Sequence, residues 1–279
     1  MRTIQQLCVL STFLIIASCV NSPKKNKATK TKDSETTWKL VWSDEFEGDS
    51  LNSDNWSYQV ENAGRFNDEW QRYTDSPKNA YVEDGKLVIK AIHESDTYGM
   101  DQFTSARLHT ANKHAWKYGK ISARIRLPKG NGMWPAFWML GANINENGGD
   151  TPWPETGEID ILEFYGSKDN AVVEANIHYA DKNNAHKMMG AKKFRLDKGI
   201  FEDDFHVFEI IWDAEQFTWW VDGNKFAATP IISDEFTEFH QPFFILLNLA
   251  VGGKNSGRPD ETTGFPKQMY VDWVRVYQQ

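Results

Sequence analysis

The sequence predicts an all-β protein, a sandwich of two antiparallel sheets of jelly-roll type with one concave face. Three observations lead there. Between Trp38 and Gln279, short apolar-alternating runs recur between Gly, Asn, Asp and Pro, and no long stretch keeps a helical period. The 279 residues include 17 Phe, 12 Trp and 9 Tyr, enough to fill one large core, and all-β domains of this size are commonly single. The two cysteines, Cys8 and Cys19, both lie near the N-terminus, so the remaining chain must fold without disulfides or thiol-bound metal.

Taken in order, the chain begins with Arg2, an apolar run from Leu7 to Ala17, and the box Ile16-Ala17-Ser18-Cys19. Residues 1–18 read as a lipoprotein signal peptide, with Cys19 as the lipidated first residue of the mature protein. The apolar run is short for a membrane span. Residues 19–37, with Lys24, Lys25, Lys27, Lys30 and Lys32, read as a flexible tether beside an anionic membrane surface. A bacterial cell envelope is the expected location, lipid-anchored and facing the periplasm in preference to the cell surface, or secreted. The formal charge is −8, and the lysine-rich tether leaves residues 38–279 more acidic still. That excludes nucleic acid as a partner and argues against sulfated polymers.

Trp38 to Phe46 and Met269 to Gln279 are both strand-like and should meet, the latter as an edge or closing strand. In Lys120 to Leu127, the residues Ile121, Ala123, Ile125 and Leu127 face one way and Lys120, Ser122, Arg124 and Arg126 the other. Lys86 to Ile92, Phe205 to Trp212 and Phe243 to Val251 are further strands. Phe217 to Val221 turns through Asp222-Gly223 into Lys225-Phe226 as a hairpin. Short helical turns are expected near Asp234 to Phe239.

The most informative stretch is Gly157 to Gly166, Gly-Glu-Ile-Asp-Ile-Leu-Glu-Phe-Tyr-Gly. Its apolar residues belong inside a sheet, so Glu158, Asp160 and Glu163 must line a watery groove or be paired. Strict alternation would put Glu163 opposite to the other two, and a β-bulge at Ile161-Leu162 returns it to their face. Glu158 and Glu163 are then four strand steps, about 13 Å, apart. Side chains leaning inward would bring their carboxylates to roughly 5 Å, the separation of a retaining glycosidase. One glutamate would attack the anomeric carbon, and the other would protonate the leaving oxygen and later activate water. Asp160 between them can hydrogen-bond the nucleophile and raise the acid's pKa by like-charge repulsion.

Upstream, Gly132 to Gly141 places Trp134 and Trp138 on one face, and Trp153-Pro154 lies on a loop just before the acids. Sugar rings stack their C–H faces on indole, so these tryptophans suit a glycan groove, although a buried core role fits them as well. Asn62 to Thr74, carrying Asn67, Glu69, Trp70, Gln71 and Arg72, offers hydrogen bonds to sugar hydroxyls.

Gly157 to Glu163, with Trp134 to Gly141 upstream and Leu247 to Gly253 downstream, resembles glycoside hydrolase family 16, specifically its laminarinase branch, over roughly Trp38 to Gln279. The resemblance implies a β-jelly-roll and retaining endo-hydrolysis of β-1,3-glucan, with Glu158 as nucleophile, Asp160 as its partner and Glu163 as acid/base. It implies groove roles for Asn67, Glu69, Arg107, Trp134, Trp138, Trp153 and His178. No cofactor is implied for catalysis. A structural calcium ion is, near Glu45, Gly48 and Asp272, and an acidic turn at Asp44 to Gly48 suits a hard cation. A monomer is expected. The chain departs from the family pattern in having Lys254-Asn255 where many laminarinases carry a tryptophan. Its loop Asn143 to Pro152 is also long and lies where it could reshape the groove end. Mixed-linkage β-1,3-1,4-glucan and agarase- or porphyranase-type galactans are the alternative substrates. A non-catalytic glycan-binding protein, expected to lack a catalytic glutamate, is the alternative class.

Overall fold

The computed structural model describes residues 37–279; the signal segment, Cys19 and the tether through residue 36 lie outside the described residues. In chain order the strands are β1 (Lys39–Asp44), β2 (Ser57–Tyr58), β3 (Gln71–Tyr73), β4 (Ala80–Glu83), β5 (Lys86–His93), β6 (Phe103–Ser105), β7 (Arg107–His109), β8 (Gly119–Arg126) and β9 (Met133–Gly141). There follow β10 (Glu158–Glu163), β11 (Val172–Ala180), β12 (His186–Arg195), β13 (His206–Trp212), β14 (Gln216–Val221), β15 (Asn224–Pro230), β16 (Phe243–Val251) and β17 (Lys267–Gln278). A 3₁₀ segment at Asp234–His240 supplies the expected helical turns.

One sheet runs β15-β14-β13-β8-β17-β5-β6-β3, with β1 on β17 and β4 on β5, and the other runs β12-β11-β10-β9-β16-β7-β2. Antiparallel pairing dominates; β3 and β6 are parallel. The two chain ends meet as expected, Lys39 opposite Gln278. The last strand, however, is not at an edge: β17 lies between β8 and β5. Met269, Val271, Val274 and Val276 bury one face of β17 in the core, while β8 along one edge and β5 and β1 along the other take up its ladder hydrogen bonds.

The seven-stranded sheet has two different faces. Inward, Met133, Phe137 and Met139 of β9, Ile159, Ile161 and Leu162 of β10, and Ile245, Leu247 and Leu249 of β16 join the main core between the sheets. Outward on the same strands stand Trp134, Ala136, Trp138 and Leu140, the three acids, and Phe244, Leu246 and Ala250. The alternation of the sequence thus fixes which side chains can form a site.

Candidate active site

β10 carries the predicted bulge. Asp160 pairs with Trp138 on β9 and with Asn176 on β11, while Glu163 pairs with Ala136 and Glu174, and the register shifts in between. Ile161 and Leu162 therefore both turn into the core, 3% and 0% exposed, and all three carboxylates face outward. Gly157, which precedes the strand, has φ +78°, and a Cβ there would meet the Phe243 ring at 2.9 Å. Glycine is required at that entry.

Each acid is held differently. Trp134 Nε1 donates to Glu163 Oε1 at 3.1 Å, and Asn176 Nδ2 donates to Oε2 at 2.5 Å. Glu163 also bonds Tyr165. Burial and the nearby Glu158 charge raise its pKa, against the pull of Tyr165, His178 and Asn176. An upward shift is the direction a general acid requires. Glu158 is more open; its Oε2 accepts from Trp153 Nε1 at 2.9 Å. Asp160 is buried between them, with its pKa raised by burial and by the charges of Glu163 and Glu158.

His178 Nε2 lies 3.2 Å from Asp160 Oδ2 and 3.8 Å from Glu158 Oε1. Burial disfavours the imidazolium, but Asp160, Glu158 and Glu163 outweigh it and lift its pKa to about 9. Burial first, and then the carboxylates crowded along one strand, raise Asp160 and Glu163, and the same carboxylates hold the proton on His178. Behind His178 stands His186 of β12, 2.9 Å away between Nδ1 and Nε2, with the rings stacked at 5.1 Å. Trp153 packs on His186 at 4.6 Å.

The expected groove residues cluster on the same face. Arg107 is sandwiched between Trp138 and Phe66, 4.6 and 4.5 Å from the ring centroids. Glu69 is buried and accepts from Gln71 Nε2 at 2.8 Å and from the Tyr73 hydroxyl at 3.1 Å. Asn248 Nδ2 donates to that hydroxyl, and Trp138 Nε1 donates to Asn248 Oδ1 at 2.7 Å. Asn67 stands exposed beside Glu69, 3.5 Å away. Trp134 and Trp138 are only 6% and 9% exposed, so they orient neighbours more than they offer faces; Trp153, at 45%, presents an open ring.

On the other sheet, the residues expected near a cation are partly engaged. Arg275 donates to both Glu45 oxygens, at 2.9 and 2.8 Å, and holds the carboxyl below its usual pKa. Arg124 Nη1 donates to Asp272 Oδ2 at 2.6 Å. The Glu45 carboxylate therefore does not fit as a cation ligand. Calcium also accepts main-chain carbonyl oxygens, which the turn from Glu45 to Gly48 supplies.

Asn176, Tyr165, His186 and Asn248 support the site without having been anticipated. Asn176 had a readable signal: Glu174, Asn176 and His178 alternate with Val173, Ala175 and Ile177, one polar face on an otherwise buried strand.

Two glutamates astride an aspartate, on the outer face of a β-sandwich and flanked by tryptophans, define a carbohydrate-cleaving protein of the two-carboxylate kind. Residues 67–275 match Glycosyl hydrolases family 16, and the chain belongs to that family. It is 36% identical to the beta-glucanase of Rhodothermus marinus over 99% of this chain and 95% of that protein. It is 33% identical to glucan endo-1,3-beta-glucosidase A1 of Niallia circulans, over 86% of this chain but only 38% of that longer protein. The laminarinase catalytic domain of Thermotoga maritima superimposes with a TM-score of 0.75 at 43% identity, over 87% of this chain and 98% of that one.

Proposed function

We propose that this chain is a retaining endo-hydrolase of β-1,3-glucan of the laminarin type. The observation that carries the reading is the bulged strand, which turns Glu158, Asp160 and Glu163 to one face and buries Glu163 against Trp134 and Asn176. Glu163 protonates the leaving oxygen while Glu158 attacks the anomeric carbon; Glu163 then takes a proton from the water that releases the sugar. Asp160 and His178 hold the charge balance around the nucleophile. Catalysis on this scheme uses side chains alone.

Reducing-end release from laminarin, barley-type mixed-linkage glucan, agarose, porphyran and carrageenan tests the reading. Laminarin should be cleaved fastest. Faster cleavage of agarose or porphyran would move the protein to the galactan hydrolases, and binding without release from any polymer would make it a glycan-binding protein.

The Ile16-Ala17-Ser18-Cys19 box supports a lipid anchor in the cell envelope. Cys19→Ala should then be recovered soluble and active; a variant still found with membranes refutes the anchor.

A further inference from the structure

The outer face of the seven-stranded sheet is not open along its whole width. The two glutamates are spaced along β10, so a sugar held between them makes the glucan run across the strands, past β9 and β16 toward β7. From the Trp138 row to the Glu158 side of the groove, the outward residues Leu246, Leu140 and Phe244 are 1%, 4% and 1% exposed. They are capped by Ile144, itself 2% exposed, from the long loop between β9 and β10.

That loop is a built wall. Asn143 accepts at its carbonyl from the N–H groups of Asp150 and Thr151 and donates through Nδ2 to Thr151 Oγ1 at 2.8 Å. A Cβ on Gly149 would collide with the Asn143 carbonyl at 2.0 Å. The wall leans toward β7: Asn112, just past that strand, donates to the Asn147 carbonyl at 3.1 Å. There it meets the segment that carries Phe66. Arg65 Nη2 donates to Glu146 Oε1 at 2.8 Å, joining residues 81 positions apart. The contact continues a stacked column in which Arg65 lies 4.8 Å from the Phe66 centroid, and Arg107 lies between Phe66 and Trp138.

We infer that the Arg65–Glu146 pair closes the β7 end of the groove and sets the register in which a glucan is cut. This rests on the proposed glucanase reading. From β10 to β7 is three inter-strand steps, about 14 Å, or space for roughly three sugar rings at one per step. A chain reaching the closure either ends there or is turned out of the groove. Short oligosaccharides are therefore cut at a fixed count from one chain end, while polymers remain open to internal attack.

The test maps cleaved bonds in reducing-end-labelled laminarihexaose and laminariheptaose. The wild type should favour one bond, at the same distance from one end in both. Glu146→Arg and Arg65→Glu, which put like charges together, should each raise the share of the other bonds several-fold. The exchanged pair R65E/E146R should restore the wild-type pattern. A register unchanged in both single variants, or not restored in the double, overturns the inference. If the wild type cuts no β-1,3 oligosaccharide, the glucanase reading fails instead. The same comparison on oligomers of the polymer it does cut then decides the role of the ion pair.

Discussion

Trp219 on β14 donates its indole N–H to the main-chain carbonyl of Asp160 on β10, 3.0 Å away across the sandwich. A bulge breaks the ladder beside it, and Asp160 is where the pairing of β10 shifts on both sides. The buried indole, 1% exposed, gives that carbonyl a partner from the opposite sheet. The two sheets are thus joined by a hydrogen bond at the point where the catalytic strand departs from regularity.

Trp219→Phe keeps an aromatic ring, removes the donor and opens a cavity where the indole's second ring lay. Leaving a buried carbonyl unpaired costs on the order of 1–3 kcal/mol, so the melting temperature should fall. If the bond also fixes the bulge, kcat should drop more than KM rises, because Glu163 then sits off its line to the leaving oxygen. A variant less stable but with unaltered kcat would limit Trp219 to packing.

Much of this arrangement was legible in the sequence because carboxylates are costly inside an apolar strand. The five-residue step from Glu158 to Glu163 demanded a bulge, and one is present. The central position of β17 was not legible, since alternation shows which face is buried but not how many neighbours a strand has. Trp134 and Trp138 have the same pattern whether they stack on sugar or pack as floor; burial settles that only once Tyr73, Tyr165 and Ile144 are placed against them. The Arg65–Glu146 contact leaves no local signal, as it joins two surface loops far apart in the chain.

His178 gives a pH dependence of stability with a definite sign. Its folded pKa of about 9 lies above the ordinary 6.5, so the folded state binds the proton more tightly. The resulting stabilisation is complete below pH 6.5 and is lost as pH rises through about 9. Its size is on the order of 1–3 kcal/mol. Thermal melts from pH 6 to 10 should show an alkaline decline in the wild type that His178→Gln largely lacks. Parallel curves for the two proteins would remove His178 as its source.

A cation at Asp272 is proposed on the oxygen donors of the β1 turn and β17. Chelation should lower the melting temperature of the wild type and hardly that of Asp272→Ala. Activity below the transition should be unaffected in both, because Asp272 lies on the other sheet from the acids. Equal sensitivity to chelator in the two proteins would count against the site.

The roles of the two glutamates can be separated by leaving group and by nucleophile. Glu163→Ala should lose activity on the polymer by orders of magnitude, since the sugar leaving oxygen needs a proton. It should keep much of its glycosylation rate on an aryl β-glycoside whose leaving group needs none. Glu158→Ala should lose both, because the attacking carboxylate is gone. With Glu163 absent, no base activates water, so the glycosyl-enzyme should accumulate on Glu158. Azide needs no base and should turn it over to the β-azide, since two inversions at the anomeric carbon return the starting configuration. An α-azide from Glu163→Ala would mean a single displacement. Rescue of Glu158→Ala to the β-azide would exchange the roles. Either result would overturn the assignment built on the buried, Trp134-bound Glu163.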